Sequence, residues 1–155
     1  MKKFELTQET KLFLGKTLYR IKALISFGSV SAGDIGGWIE KEENLSQNGN
    51  AWVSGNASVS GNARVSGNAS VSGNAHIMWI SKIGSRNDTI TFMRSKELKI
   101  IVIVGCFSGT LEEFEEKVKE THGENEHAKA YFLAIQLAKL RIDLTEETDA
   151  RTDRK

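Results

Sequence analysis

Six side chains of this 155-residue sequence are of types, and in settings, that could bind or react: Trp52, Arg64, His76, Cys106, Ser108 and Thr110. Trp52 stands among small Ser and Asn residues with Arg64 not far downstream, so an indole and a guanidinium are offered to a planar or anionic ligand. The commoner use of such an indole is packing in a subunit interface. His76 supplies an imidazole suited to general-base chemistry; as a surface histidine next to the following module it would do nothing. Ser108 and Thr110 lie in VGCFSGTLEEF, where Gly105 and Gly109 separate an apolar run from a helix start, and free N–H groups there can hold a phosphate or carboxylate. Thr110 and Glu113 form a capping box that would satisfy those donors, Glu112 and Glu113 would repel an anion, and no Lys-Ser or Lys-Thr pair completes a phosphate loop. Cys106 could act as a nucleophile with His122 or His127 as base, but a lone cysteine after IIVIV more often lies buried as an apolar residue. His122 and His127 lack further ligands for a metal, so neither a metal nor a cofactor is expected.

These side chains are positioned by a repeat. From Ile35 to Ile77 a six-residue unit, VSGNAS at its clearest, sets Val53, Val59, Val65, Val71 and Ile77 at one phase and Ala57, Ala63, Ala69 and Ala75 at another. Each unit carries a Gly-Asn pair, which accepts left-handed backbone angles and makes a corner. Fixed aliphatic and alanine phases separate this tract from a flexible Gly/Ser linker and predict a β-helix over 35–77, in which coils pair with the coils above and below. Ile35, Ile39, Leu45 and Ala51 extend the inward positions upstream as a terminal coil.

Residues 1–34 alternate as an N-terminal hairpin, with Tyr19, Ile21, Ala23, Ile25 and Phe27 on one side and a turn at Gly15-Lys16, and they are expected to cap the first coil. Beyond Ile77 the corners stop. Residues 78–144 predict a three-stranded β-meander (MWISKIG, DTITFMR, LKIIVIVGCF) and two helices, so the fold class is mainly β with α. The all-apolar run Ile100–Val104 should be covered on both faces. The first helix opens at Thr110 and ends at Gly123; the second, from about Glu126 to Asp143, shows Ala130, Leu133, Ala134, Leu137 and Leu140 as its apolar stripe, with basic residues opposite. The polar tail 145–155 is expected to fray.

A formal charge of +1 denies the chain the positive field of a general nucleic-acid binder, so a nucleic-acid polymer is not favoured as partner. No apolar run spans a bilayer, and MKKFELTQET lacks the apolar core of a signal peptide. With a single cysteine, these features lead to the expectation of a cytoplasmic protein without membrane attachment.

GKTLYRIKAL, GDIGGWIE, ENLSQNGNAWV and GCFSGTLEEFEEKV together resemble uncharacterised hexapeptide-repeat proteins of bacteriophages and prophages, and the likeness covers most of the chain. More distantly, the repeats resemble left-handed β-helix acyltransferases and sugar-nucleotide-modifying enzymes, which are usually trimers with sites between subunits. The resemblance implies a left-handed coil of about three hexads. Glu40, Ser58 and His76 would then share one outward column, Trp52 and Ser70 a second, and Ser46 and Arg64 a third. It also implies a homotrimer with clefts between subunits. The reading it favours is a non-enzymatic phage-type binding protein that takes a small anionic or nucleotide-like ligand, or a host protein, and counteracts a host defence, with Trp52, Arg64, His76, Ser108 and Thr110 as binding residues. The runner-up is an acyltransferase-like enzyme with His76 as base, although the repeats are too few for a long acyl-donor groove. A structural assembly protein is the third reading.

Overall fold

The computed structural model describes residues 2–145, so the expected frayed tail lies, beyond Thr145, outside the described residues. The chain opens with a hairpin of β1 (Phe4–Phe13) and β2 (Lys16–Ala23), joined at Leu14-Gly15, whose φ angles of 52° and 79° are those of a two-residue turn that matches strand twist. The turn thus sits one residue earlier than Gly15-Lys16, after a first strand of ten residues. Strand β2 pairs antiparallel with β3 (Ile35–Ile39), so the hairpin joins the sheet at the first strand of the repeat tract.

The repeat tract contributes three two-residue strands: β4 (Trp52–Val53), β5 (Ser58–Val59) and β6 (Ser70–Val71). Its pairings are parallel: Ile39 with Val59, Leu45 with Val65, and Val53 with Val71. Val53, Val59, Val65, Val71 and Ile77 are buried with Ala57, Ala63, Ala69, Leu45, Ala51 and Trp52, whereas Ala75 is half-buried and Ile35, expected to point inward, is exposed. At the corners, Gly49, Gly55, Gly61 and Gly67 hold φ between 59° and 74°.

The register has two values. Ile39–Val59 and Leu45–Val65 are offset by twenty residues, whereas Val53–Val71 is offset by eighteen. Two extra residues therefore lie between Leu45 and Val53, in the corner around Asn48–Asn50. That longer corner is held from the hairpin. The Lys3 and Phe4 amides donate to Gln47 Oε1 at 2.7 and 3.2 Å, and Lys3 Nζ donates to Ala51 O at 2.8 Å while lying 4.7 Å from the centre of the Phe27 ring.

Lys3 is 2% exposed, and burial lowers its ammonium from 10.5 to about 8. Between those values the unfolded chain binds more protons than the folded one, so stability rises with pH across that window. Urea midpoints taken near pH 7.5 and pH 9.5 should show a gain of about 1–2 kcal/mol, and Lys3→Met should abolish the rise. A flat profile for the unsubstituted chain would mean that the ammonium is solvated.

After a 3-10 turn at Asn74–His76, β7 (Ile77–Ile83), β8 (Asp88–Arg94), β9 (Ile100–Val104) and β10 (Phe107–Thr110) form an antiparallel meander in sequence order. It has four strands, not three. Gly105, at φ 56°, turns the chain back, so FSGT pairs with β9 instead of forming a glycine loop before the helix. Helices α1 (Leu111–His122) and α2 (Glu126–Arg141) follow. Ile100, Val102 and Val104 belong to the core beneath the helices, while Ile101 and Ile103 belong to the core of the repeat tract, so β9 is covered on both faces as its composition demands.

The second helix turns a different face inward. Ala128, Tyr131, Ala134, Ile135 and Ala138 are its buried residues, whereas Leu133, Leu137 and Leu140 are exposed. Small alanines let α2 lie close to its neighbours, and Tyr131 and Ile135 fill the space, which leaves the leucines at a spacing of four and three on the outside. Among the described residues no helix is long and apolar enough to cross a membrane.

Candidate functional site

A cleft of about 380 Å³ opens where the 24–34 loop, the β4/β6 face and the turn after β8 meet. Its wall is the one column that falls as expected, Trp52 beside Ser70, continued by Ser54 and Ser72. Asn50 and Asn68 line its corners, and Lys96 and Glu97 line it from the turn. Trp52 is not the free outward indole expected from the pattern. It is 9% exposed and belongs to the core, with the Phe27 ring set edge-on at 5.4 Å. The loop carrying Phe27 covers it, and no local alternation reports that coverage.

His76 lies behind this wall instead of in an outward column. It is 8% exposed; Nδ1 lies 3.1 Å from the Ser72 amide and 3.2 Å from the Ser72 hydroxyl, and Nε2 lies 3.1 Å from Arg94 Nη1. The Ser72 amide donates to Nδ1, and Nε2 faces a guanidinium, which only donates. Arg94 also donates from Nε to Ser70 O at 3.3 Å. The imidazole and guanidinium thus hold Ser70 and Ser72 in place, and both ring nitrogens are engaged within the chain.

The column of Glu40, Ser58 and His76 does not form. The two extra corner residues place Trp38, not Glu40, opposite Ser58. Glu40 accepts from Gly61 N at 2.7 Å and pairs with Lys16 at 3.7 Å, while Ser58 N donates to Asn74 Oδ1 at 2.9 Å. The same shift separates Ser46 from Arg64, because the Val65 amide donates to Asn44 O and the Ser46 amide to Val65 O.

No protein-family model matches this chain, and no curated protein matches it. The geometry is therefore the ground for a functional reading.

The remaining expected residues are dispersed. Arg64 does not line the Trp52 cleft: its amide donates to Thr91 Oγ1 at 3.1 Å and its Nη2 to Gly105 O at 2.8 Å, tying the repeat tract to the meander. Ser108 sits in β10 opposite Ile103, not at a helix mouth. Thr110 caps α1, with Oγ1 accepting from Glu113 N at 3.1 Å and its amide donating to Glu113 Oε1 at 2.9 Å, so the donors an anion would use are taken. Cys106 is exposed in the β9–β10 turn, not buried with the valines. Lys11 and Arg20 lie over the Trp38 ring, at 4.7 and 4.9 Å from its centre, and Trp79 packs against the repeat core. His122 and His127 lie 5.4 Å apart ring to ring, and no group of metal-binding side chains forms among the described residues.

Sequence reasoning missed Lys96 and Arg94. Lys96 was legible only as part of a turn, yet its amide donates to Asn68 O at 2.8 Å and carries that turn to the cleft. Nothing in the local pattern marks Arg94 as the support of a serine wall.

Proposed function

We propose that this is a non-enzymatic binding protein whose repeat tract is a short left-handed β-helix and whose ligand, small and anionic or nucleotide-like, enters the cleft at Trp52. The observation that carries the reading is the wall of that cleft, in which Trp52 stands beside Ser70 and in which Ser70 and Ser72 are held from behind by Arg94 and His76. Neutral hydroxyl and amide groups hydrogen-bond a polar ligand in any orientation, the indole supplies an apolar side, and the Lys96 ammonium favours an anionic group at one end, where Glu97 is the neighbouring carboxylate. The parallel pairing and the buried six-residue phase support the β-helix. A tract this short has little core relative to its surface, and the exposed Leu133, Leu137 and Leu140 offer further apolar area, so self-association as a homotrimer is part of the proposal. The resemblance to phage and prophage proteins suggests the use: action in the host cytoplasm against a defence component, by sequestering its signal or blocking its effector.

Native mass spectrometry of gently purified protein, before and after denaturation, tests this. The expected result is a trimer carrying a discrete small mass that is lost on denaturation. Lys96→Ala should reduce retention of that mass about tenfold, as for loss of a charge-assisted bond, without changing the oligomer. A trimer with no added mass would move the reading to a host protein, and a clean monomer would overturn the association.

A further inference from the structure

A second cleft, of about 310 Å³, lies on the far module between the β7–β8 turn, the β9–β10 turn and α1. Its chemistry differs from that of the Trp52 cleft. Phe107, Phe114 and Tyr131 line it and form a chain of ring contacts, with centroids 5.3 Å apart between the phenylalanines and 5.2 Å between Phe114 and Tyr131. The His122 ring continues the series 5.9 Å from Tyr131. Two cations also line the cleft, Arg86 from the turn and Lys117 from α1, and neither has an ion-pair partner among the described residues. Asp88 is the carboxylate that also lines the cleft; its Oδ1 already accepts from the Thr89 amide at 2.9 Å. The phenol of Tyr131 is held above its ordinary range by burial and by Asp88, so it stays neutral.

We infer that this cleft is a ligand site for a planar aromatic anion, the ring lying against Phe107 and its neighbours and the phosphate or carboxylate between Arg86 and Lys117. The apolar side supplies ring contact and the guanidinium a two-pronged anion grip. The inference does not depend on the Trp52 cleft, because no residue lines both.

Cys106 provides the readout. It is exposed, it lines this cleft, and it is the single cysteine of the chain, so its alkylation can be followed by intact mass. Iodoacetamide labelling is measured with increasing phenyl phosphate, with inorganic phosphate and with phenol. Phenyl phosphate is expected to slow labelling saturably, and each half-molecule to protect at least about tenfold less well at equal concentration. Arg86→Gln and Lys117→Gln together should abolish protection with the thermal midpoint retained, while Lys96→Ala leaves it intact. Equal protection by inorganic phosphate and phenyl phosphate would remove the aromatic part of the inference. No protection by phenyl phosphate, or protection that survives the double substitution, would overturn the site.

Discussion

Asn44→Ala is expected to lower stability by about 3–4 kcal/mol, a large effect for a side chain that touches no ligand. The side chain of Asn44 is fully buried, and it serves two chain segments at once. Its Oδ1 accepts from the amides of Glu40 and Lys41 at 3.1 and 2.9 Å, and its Nδ2 donates to the carbonyls of Gly61 and Ala63 at 3.1 and 2.9 Å. Truncation leaves two amides and two carbonyls without these bonds, and each buried orphan costs about 1–3 kcal/mol. The costs do not add in full, because water entering the vacated space restores some of the bonds. Urea unfolding should show a lower midpoint at an unchanged slope. A loss under about 1 kcal/mol would show that water replaces the amide bonds well and that the corner is not dry.

The second large effect is crowding at Gly36. A Cβ there would lie 2.6 Å from Val53 O, 2.7 Å from Ile21 Cγ1 and 2.7 Å from Trp52 Cζ2, between hairpin and repeat tract. Backbone and indole cannot swing aside as the end of a lysine can, so Gly36→Ala should cost about 2–3 kcal/mol by overpacking. Gly67→Ala is the control. Gly67 has φ 67° and nothing within 4 Å of a modest side chain, so it should lose only about 1 kcal/mol, the conformational cost of a left-handed alanine. Thermal or urea midpoints of the two variants separate the causes, and equal losses would refute close packing at Gly36. Because Trp52 is one of the crowded groups, Gly36→Ala should also change the indole fluorescence, joining the stability of the cap to the shape of the cleft.

Much of this architecture could be read from the residues. The six-residue phase, the glycine corners, the hairpin cap and the Thr110–Glu113 capping box are local chemistry, and local chemistry is written where it acts. Thr110 and Glu113 need only three residues of separation to bond each other. The double coverage of Ile100–Val104 followed from its composition alone, since a strand apolar at every position has no face to give to water.

The slip of two residues was not legible, for a definite reason. Strand side chains alternate with a period of two, so a shift by two keeps every residue on its side of the sheet. Leu45 therefore fits the alanine phase, six before Ala51, as well as the valine phase in which it pairs with Val65. Only the hydrogen bonds between the paired segments choose, and that choice moved Glu40 away from Ser58 and Arg64 away from Ser46. The leucine stripe of α2 failed as a guide for a similar reason: two apolar stripes share the helix, and the tertiary approach of the alanine side decided which one was buried. The cover over Trp52 and the Arg94–His76 support beneath it join residues far apart in sequence. The sequence by itself determined the six-residue phase, the hairpin, three strands of the meander and the two helices, because those depend on neighbours a few residues away, whereas the pairing of FSGT as a fourth strand was decided by β9 beside it. The tertiary structure alone decided which side chains share a cleft, because that depends on register and on which face each element turns inward.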